Sequence, residues 1–156
     1  MLEPSAGKGD IAQAIVNQHP DIHLDVVEFQ SDLRQILELK GFNIIAWDFL
    51  TAVGKWQAII ANPPFSEFIE HTYHAYECLE TGGILVTIAP ESVFFSSKRK
   101  FKEFRDWMNS HDAWDEKVRK VCGREYSLPR ALPDGAFLES TNPTGVSTRI
   151  IVVKKG

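Results

Sequence analysis

The chain has 156 residues, 44% of them apolar, the size of a single domain that can bury one sizeable core without disulfides or a structural metal. Its formal charge of −4 runs against a free-standing basic DNA binder. No run approaches the roughly 20 apolar residues of a membrane span, and the N-terminus has neither the basic flank nor the apolar stretch of a signal peptide. The two cysteines, Cys78 and Cys122, lie far apart and outside any CxxC pattern. Reduced thiols in a cytoplasmic protein are expected, with no disulfide framework and no zinc site.

In chain order, residues 1–3 read as the last residues of a strand. Residues 10–18 form a helix with Ile11, Ala14 and Ile15 on one face, and 23–28 (HLDVVE) a strand. Residues 31–40 form a helix with Ser31 as its N-cap, a stripe of Leu33, Ile36 and Leu37, and Gly41 at its end. Strands follow at 43–47 and 56–61, then a helix at 67–79 followed shortly by the breaker Gly82-Gly83. Residues 84–89 (ILVTIA) read as a strand buried on both faces. A helix spans 101–110, residues 114–133 carry no clear pattern, and 149–154 (RIIVVK) make a final strand. Such alternation predicts a parallel sheet with helices on both faces, right-handed crossovers, and a ligand site just beyond the carboxyl ends of the strands.

The residues at those strand ends carry the chemistry. After the first strand, Glu3-Pro4-Ser5-Ala6-Gly7-Lys8-Gly9-Asp10 is a glycine loop feeding a helix N-terminus, where free N–H groups favour polar or anionic ligand groups. Gly7-x-Gly9-x-x-Ala12 with Glu28 about 20 residues on matches a dinucleotide fingerprint. That pattern points to an adenosine-containing cofactor without choosing which, and a ligand-free strand–helix turn is the plainer alternative. Glu28 can accept bonds from two adjacent ribose hydroxyls, or simply favour the dipole of the next helix. Asp48 can accept from an adenine amino group with Phe49 packed on the ring, or be a turn aspartate beside a core phenylalanine.

After the fourth strand comes Asn62-Pro63-Pro64-Phe65. The proline pair fixes an extended turn. It leaves the Asn62 side-chain oxygen and the Pro63 carbonyl as acceptors for the two protons of an amino group, with Phe65 to stack on a planar acceptor. Methyl transfer to such a nitrogen needs chiefly alignment.

These residues resemble the class I S-adenosylmethionine-dependent methyltransferases, specifically the amino-methyltransferases with an (N/D/S)PP(Y/F/W) motif, over nearly the whole chain. Glu3 to Gly9 resembles the family's cofactor loop, Glu28 its ribose acid, Asp48-Phe49 its adenine pair, and Asn62-Pro63-Pro64-Phe65 its catalytic motif. The stretch Leu132-Pro133-Asp134-Gly135-Ala136-Phe137-Leu138-Glu139-Ser140 resembles the segment that precedes the last strand in bacterial and phage N6-adenine methylases. The resemblance implies an α/β, Rossmann-like, doubly wound, mostly parallel seven-stranded sheet with an antiparallel last strand. It implies S-adenosylmethionine as cofactor, bound by Glu3, Ser5, Ala6, Gly7, Gly9, Glu28, Phe29, Asp48, Phe49 and Asn62. Asn62, Pro63, Pro64 and Phe65 are implied as catalytic, acting on a base flipped from its helix. The family has an upstream helix and a full first strand, so the first strand is expected to be truncated and the N-terminal part of the core missing from the domain at 1–156.

The partner implied is nucleic acid, with DNA preferred over RNA. Two basic clusters stand outside the motifs: Lys98, Arg99, Lys100, Lys102 and Arg105, and Lys117, Arg119, Lys120 and Arg124. They read either as solvated helix faces or as phosphate contacts; Lys98, Arg99 and Lys100 are the candidates. Target recognition is expected from residues 92–130, a partner, or the missing segment. His71 and His74 share a helix without a third metal ligand, so both are expected on its solvent face and no metal is expected. Trp107, Met108 and Trp114 are expected to pack a helix on the sheet, and residues 96–98 to form a mobile loop near the cleft. The competing readings are an rRNA, tRNA or protein-glutamine N-methyltransferase, a silent binding module, and a nicotinamide-dependent oxidoreductase. The last leaves Asn62–Phe65 unexplained. Restriction–modification and mobile-element settings both stay open.

Overall fold

The computed structural model describes residues 1–111, 113 and 147–156, with the backbone of three two-residue strands between them. The elements are β1 (Leu2–Pro4), α1 (Asp10–Gln18), β2 (Asp25–Val27), α2 (Ser31–Leu39), β3 (Asn43–Ala46), β4 (Trp56–Ala61), α3 (Phe68–Glu77) and β5 (Leu79–Pro90), then α4 (Ser92–Phe95), α5 (Arg99–Ser110), β6 (Lys120–Val121), β7 (Arg124–Glu125), β8 (Arg130–Ala131) and β9 (Thr148–Lys154). Seven strands form one sheet in the order β3-β2-β1-β4-β5-β9-β8, and β6 pairs with β7 apart from it. Strands β1 to β5 are mutually parallel, and β9 runs antiparallel to β5 from Ile84↔Lys154 to Pro90↔Thr148. The expected α/β sheet with its antiparallel last strand is present. The LPDGAFLES stretch, Trp114, Cys122, Lys117 and Arg119 lie outside the described residues.

Strand periodicity splits the core in two. Val26 faces Ala12, Leu24 and Leu37 under α1 and α2, whereas the next residue, Val27, joins Leu2, Ile59, Phe68, Leu85, Phe104 and Met108 under α3 and α5. Met108 is fully buried with Trp107 packed beside it, as expected of that helix. The chain leaves β1 toward β2 and β3 on one side and β4 and β5 on the other, so the switch point lies between β1 and β4.

Three local expectations need correction. The N-cap of α2 is Gln30, not Ser31, because the Gln30 N–H is held by Glu28 Oε1 at 2.8 Å and the Gln30 carbonyl accepts the first helical bond, from Arg34. Its other end is as expected. Gly41 takes φ 80° while Phe42 and Gly41 donate to the carbonyls of Leu37 and Glu38, a Schellman closure.

Gly82-Gly83 does not interrupt β5. Gly82, at φ 79°, makes an irregularity within the strand and donates to the Lys155 carbonyl, while Gly83 leaves room where a Cβ would meet backbone oxygens of Glu80, Gln57 and Trp56. Nor is β5 buried on both faces: Leu85, Thr87 and Ala89 are buried, while Ile84, Val86 and Ile88 are half-buried.

One buried polar knot joins the β2 and β4 strands. Asp25 accepts from Trp56 Nε1 at 2.8 Å and from Asn43 Nδ2 at 2.7 Å. Burial pushes its carboxyl up, but these donors outweigh it and hold it below the usual carboxylate range. Trp56→Phe removes one donor from a buried carboxylate and is expected to destabilise the fold by about 1–3 kcal/mol. A fall in urea midpoint at unchanged slope would register it, and an unchanged midpoint would refute it.

Candidate active site

The carboxyl ends of β1 to β4 open onto one cleft of about 830 Å³, within the roughly 300–1,000 Å³ of small-molecule sites. Four strand ends supply it: Glu3 to Lys8 from β1, Glu28 to Gln30 from β2, Trp47 to Leu50 from β3, and Asn62 to Phe65 from β4. Those ends span three inter-strand steps, about 14 Å, which suits an elongated ligand.

The first loop is built to bring backbone close to that ligand. Ser5 and Gly7 both take positive φ, 70° and 57°, and a Cβ at Gly7 would meet nothing within 4 Å, so its conformation rather than crowding calls for glycine. A left-handed serine is strained, and such strain concentrates at ligand sites. Gly9 differs. It is buried and is not among the residues lining the cleft; at φ 81° a Cβ there would come within 2.7 Å of Leu37 Cδ2, so Gly9 also lets α1 pack on α2.

Glu28 is buried and already engaged. Its Oε2 accepts from the Gly7 N–H at 2.7 Å and its Oε1 from the Gln30 N–H at 2.8 Å. This ties the β1 loop to the end of β2 and leaves each oxygen a further lone pair for a ligand hydroxyl. Asp48 Oδ1 accepts from the Leu50 N–H at 2.9 Å and caps a short 3₁₀ turn over Phe49–Thr51.

Phe49 itself is nearly fully buried, with its ring 4.8 Å from that of His74 and 5.5 Å from that of His71. The accessible aromatics are Phe29, 74% exposed, and Trp47, 68% exposed. Trp47 was not anticipated. The Arg34 guanidinium lies 4.7 Å over its ring while donating to the Phe29 and Glu28 carbonyls, so one arginine braces both rims.

At β4, Pro63 is buried, and Asn62 and Phe65 are half-buried at the cleft wall. The two prolines carry no N–H, so Pro63 and Pro64 offer only carbonyl acceptors at this strand end. An amino group, which brings two donors, matches that supply.

Two buried side chains in the lining each have one atom without a hydrogen-bond partner among the described residues. Glu3 is 1% exposed with Oε2 unpartnered. Burial raises its pKa to about 8, the carboxylates of Asp10 and Glu28 add to that, and a backbone bond from Ala12 opposes it. His71 is 7% exposed, with Nε2 3.4 Å from Glu67 Oε2 and Nδ1 unpartnered. Burial pushes its imidazole below the ordinary histidine range against the pull of Glu67. This overturns its expected place on a solvent face. His74 is half-buried, its Nε2 3.0 Å from the Ala52 carbonyl.

Lys98, Arg99 and Lys100 are exposed at the start of α5 and do not line the cleft. The turn at 96–98, expected beside the cleft, does not line it; Arg105 donates to the Val93 carbonyl at 2.7 Å and to the Ser96 carbonyl at 3.1 Å. Among the described residues there is no cluster of three metal-ligating side chains, and no helix long and apolar enough to cross a membrane.

Compared by sequence, the chain matches no protein-family model and no curated protein. By structure it resembles a protein from Listeria monocytogenes classed as a class I S-adenosylmethionine-dependent methyltransferase, with TM-score 0.64 and 13% identity over 99% of this chain and 53% of that one. It also resembles TrmN from Thermus thermophilus, with TM-score 0.57, 17% identity, and 99% and 43% coverage. A third likeness is to PigF with SAH, with TM-score 0.55, 16% identity, and 99% and 49% coverage. The fold is therefore that of the class I methyltransferases, and this chain spans about half the length of these structures.

Proposed function

We propose that residues 1–156 carry the catalytic domain of a cytoplasmic S-adenosylmethionine-dependent N-methyltransferase whose acceptor is an amino nitrogen, N6 of adenine in DNA before other acceptors. The observation that carries the reading is the convergence of Glu28, Asp48 and Asn62-Pro63-Pro64-Phe65 from three separate strand ends onto one cleft beside a left-handed glycine loop. S-adenosylmethionine supplies an electrophilic methyl group on a sulfonium sulfur. The chain's own residues do the rest. Glu28 accepts from the ribose hydroxyls, Asp48 from the adenine amino group, and Phe29 and Trp47 cover the ring. Ser5, Ala6 and Gly7 bring backbone to the amino-acid end beside Glu3.

On the acceptor side, the Asn62 side-chain oxygen and the Pro63 carbonyl take the two N–H bonds of the target. They draw its lone pair out of conjugation and toward the methyl carbon, while Phe65 stacks on the ring. The proton shed from the methylated nitrogen leaves to solvent. Lys98, Arg99 and Lys100 meet phosphates. An rRNA or tRNA base, or a glutamine amide, presents the same planar donor pair to Asn62 and is the second acceptor class.

Calorimetric titration with S-adenosylhomocysteine tests the cofactor half. Saturable binding is expected, and Glu28→Ala is expected to weaken it roughly 10- to 100-fold, because charge-assisted bonds to ribose and to the Gly7 loop go together. Unchanged affinity in Glu28→Ala would remove the ribose role. Transfer of a labelled methyl group to DNA, RNA and protein, followed by mass spectrometry of the labelled residue, tests the acceptor half. Label on an oxygen, a carbon or the non-planar nitrogen of a lysine would sink the reading of a planar, conjugated amino nitrogen as acceptor.

A further inference from the structure

The segment that leaves β5 carries an aromatic ring that the cleft does not use. Phe95, at the end of α4, is 71% exposed. The turn that carries it is anchored on two sides. Arg149 on β9 holds Glu91 in a bidentate pair through one guanidinium edge, Nε to Oε2 at 2.7 Å and Nη2 to Oε1 at 2.5 Å. The same guanidinium lies 4.7 Å over the Phe94 ring and 5.4 Å over that of Phe95. From the other side, Arg105 closes the α4 turn by its bonds to the Val93 and Ser96 carbonyls. Both arginines are thus spent on scaffolding.

Two cations that follow Phe95 in the chain are less committed. Lys98 and Lys100 are exposed and have no carboxylate partner among the described residues, Lys100 resting 5.2 Å over the Phe101 ring, whereas Arg99 pairs with Glu103 at 3.4 Å. The position matters as much as the composition. β5 is the neighbour of β4, paired at Ala61↔Thr87, so this face stands beside the strand end that carries Asn62.

We propose that α4 and the start of α5 form a binding face for a single nucleic-acid strand, with Phe95 stacking on a base that flanks the target and Lys98 and Lys100 meeting its phosphates. The inference rests on the nucleic-acid reading of the site and deepens it by naming where the flanking strand lies. An exposed aromatic beside exposed cations is the combination by which proteins hold unpaired strands: every base has a face to stack, and the cations meet the phosphates. The overall charge of −4 makes a local platform of this kind the means by which an acidic chain could hold a polyanion.

Fluorescence anisotropy of a labelled oligothymidylate with the intact chain tests this at two salt concentrations. Phe95→Ala is expected to weaken binding about tenfold, the scale of one lost base stack. Charge reversal at Lys98 and Lys100 is expected to flatten the salt slope by roughly 1.4, about 0.7 per phosphate contact on a single strand. Phe95→Trp is expected to bind as wild type, with emission quenched by the oligonucleotide and not by inorganic polyphosphate. Equal affinity of Phe95→Ala and wild type, or equal quenching by polyphosphate, would overturn the stacking platform and leave the nucleic-acid reading standing. Failure of the wild-type chain to bind any oligonucleotide, with methyl label found in a protein amide, would overturn that reading and this inference with it.

Discussion

Asn62→Ala is expected to lower methyl transfer by at least about 10²–10³-fold, the scale of losing one preorganised polar group aimed at the reacting centre, while S-adenosylhomocysteine affinity moves only by a small factor. The asymmetry follows from what surrounds Asn62. The proposed cofactor contacts are spread over Glu28, Asp48 and the Gly7 loop, which line the cleft from three strand ends, so removing one amide should cost binding little. The acceptor nitrogen has no such redundancy. Pro63 and Pro64 carry no N–H, and the Pro64 carbonyl already accepts from the Glu67 N–H at 3.0 Å. The Asn62 oxygen and the Pro63 carbonyl are then the acceptors at this strand end for the two target protons. An interaction made in the transition state lowers kcat and kcat/KM together, whereas loss of uniform binding raises KM alone. Asn62→Asp keeps an acceptor oxygen and should retain part of the rate. Full turnover in Asn62→Ala would remove it from catalysis.

The candidate site was legible where its residues are adjacent in sequence and follow an apolar run. The glycine loop, Glu28, Asp48 and the Asn62–Phe65 turn each sit just past a strand, and a parallel sheet brings such ends together whatever lies between them. Partners distant in sequence were not legible. Glu28 contacts the Gly7 N–H across 21 residues and shifts the α2 cap from Ser31 to Gln30. Nothing local marks Gly9 as a packing glycine, because its neighbours are Leu37 and Phe42 on another helix and loop. Trp47 was read as the end of β3, yet the strand stops at Ala46 and leaves the ring at the cleft rim.

His71 could have been found. Phe68, His71, Thr72 and Ala75 fall at i, i+3, i+4 and i+7 and are all buried, so the histidine occupies the apolar stripe of α3. Its spacing from His74 drew attention to metal geometry when its spacing from Phe68 held the answer.

Glu3→Gln is expected to remove a pH dependence of stability that the wild-type chain carries. A carboxyl raised to about 8 is protonated at neutral pH in the folded protein, whereas the unfolded chain ionises it near 4.5. The folded state therefore binds more protons than the unfolded state between those values. This contribution to stability is fully present below about pH 4.5 and is lost as pH rises to about 8. The loss is of the order of a few kcal/mol for so deeply buried a group, with Oε2 left unpartnered at its end. Glutamine keeps the shape and cannot ionise. The variant should match wild type near pH 4 and exceed it in thermal stability at pH 9, and equal slopes in both proteins would show that Glu3 does not carry the proton. The same group links to the ligand. A cationic ammonium arriving beside Glu3 makes the ionised form favourable, so binding near pH 7 should release a proton to the buffer. Calorimetry of S-adenosylhomocysteine in buffers of different ionisation enthalpy should then give different heats for wild type and the same heat for Glu3→Gln. Buffer-independent heats in wild type would mean that the ligand's ammonium lies elsewhere in the cleft, and that the Glu3 carboxyl keeps its proton as part of the floor.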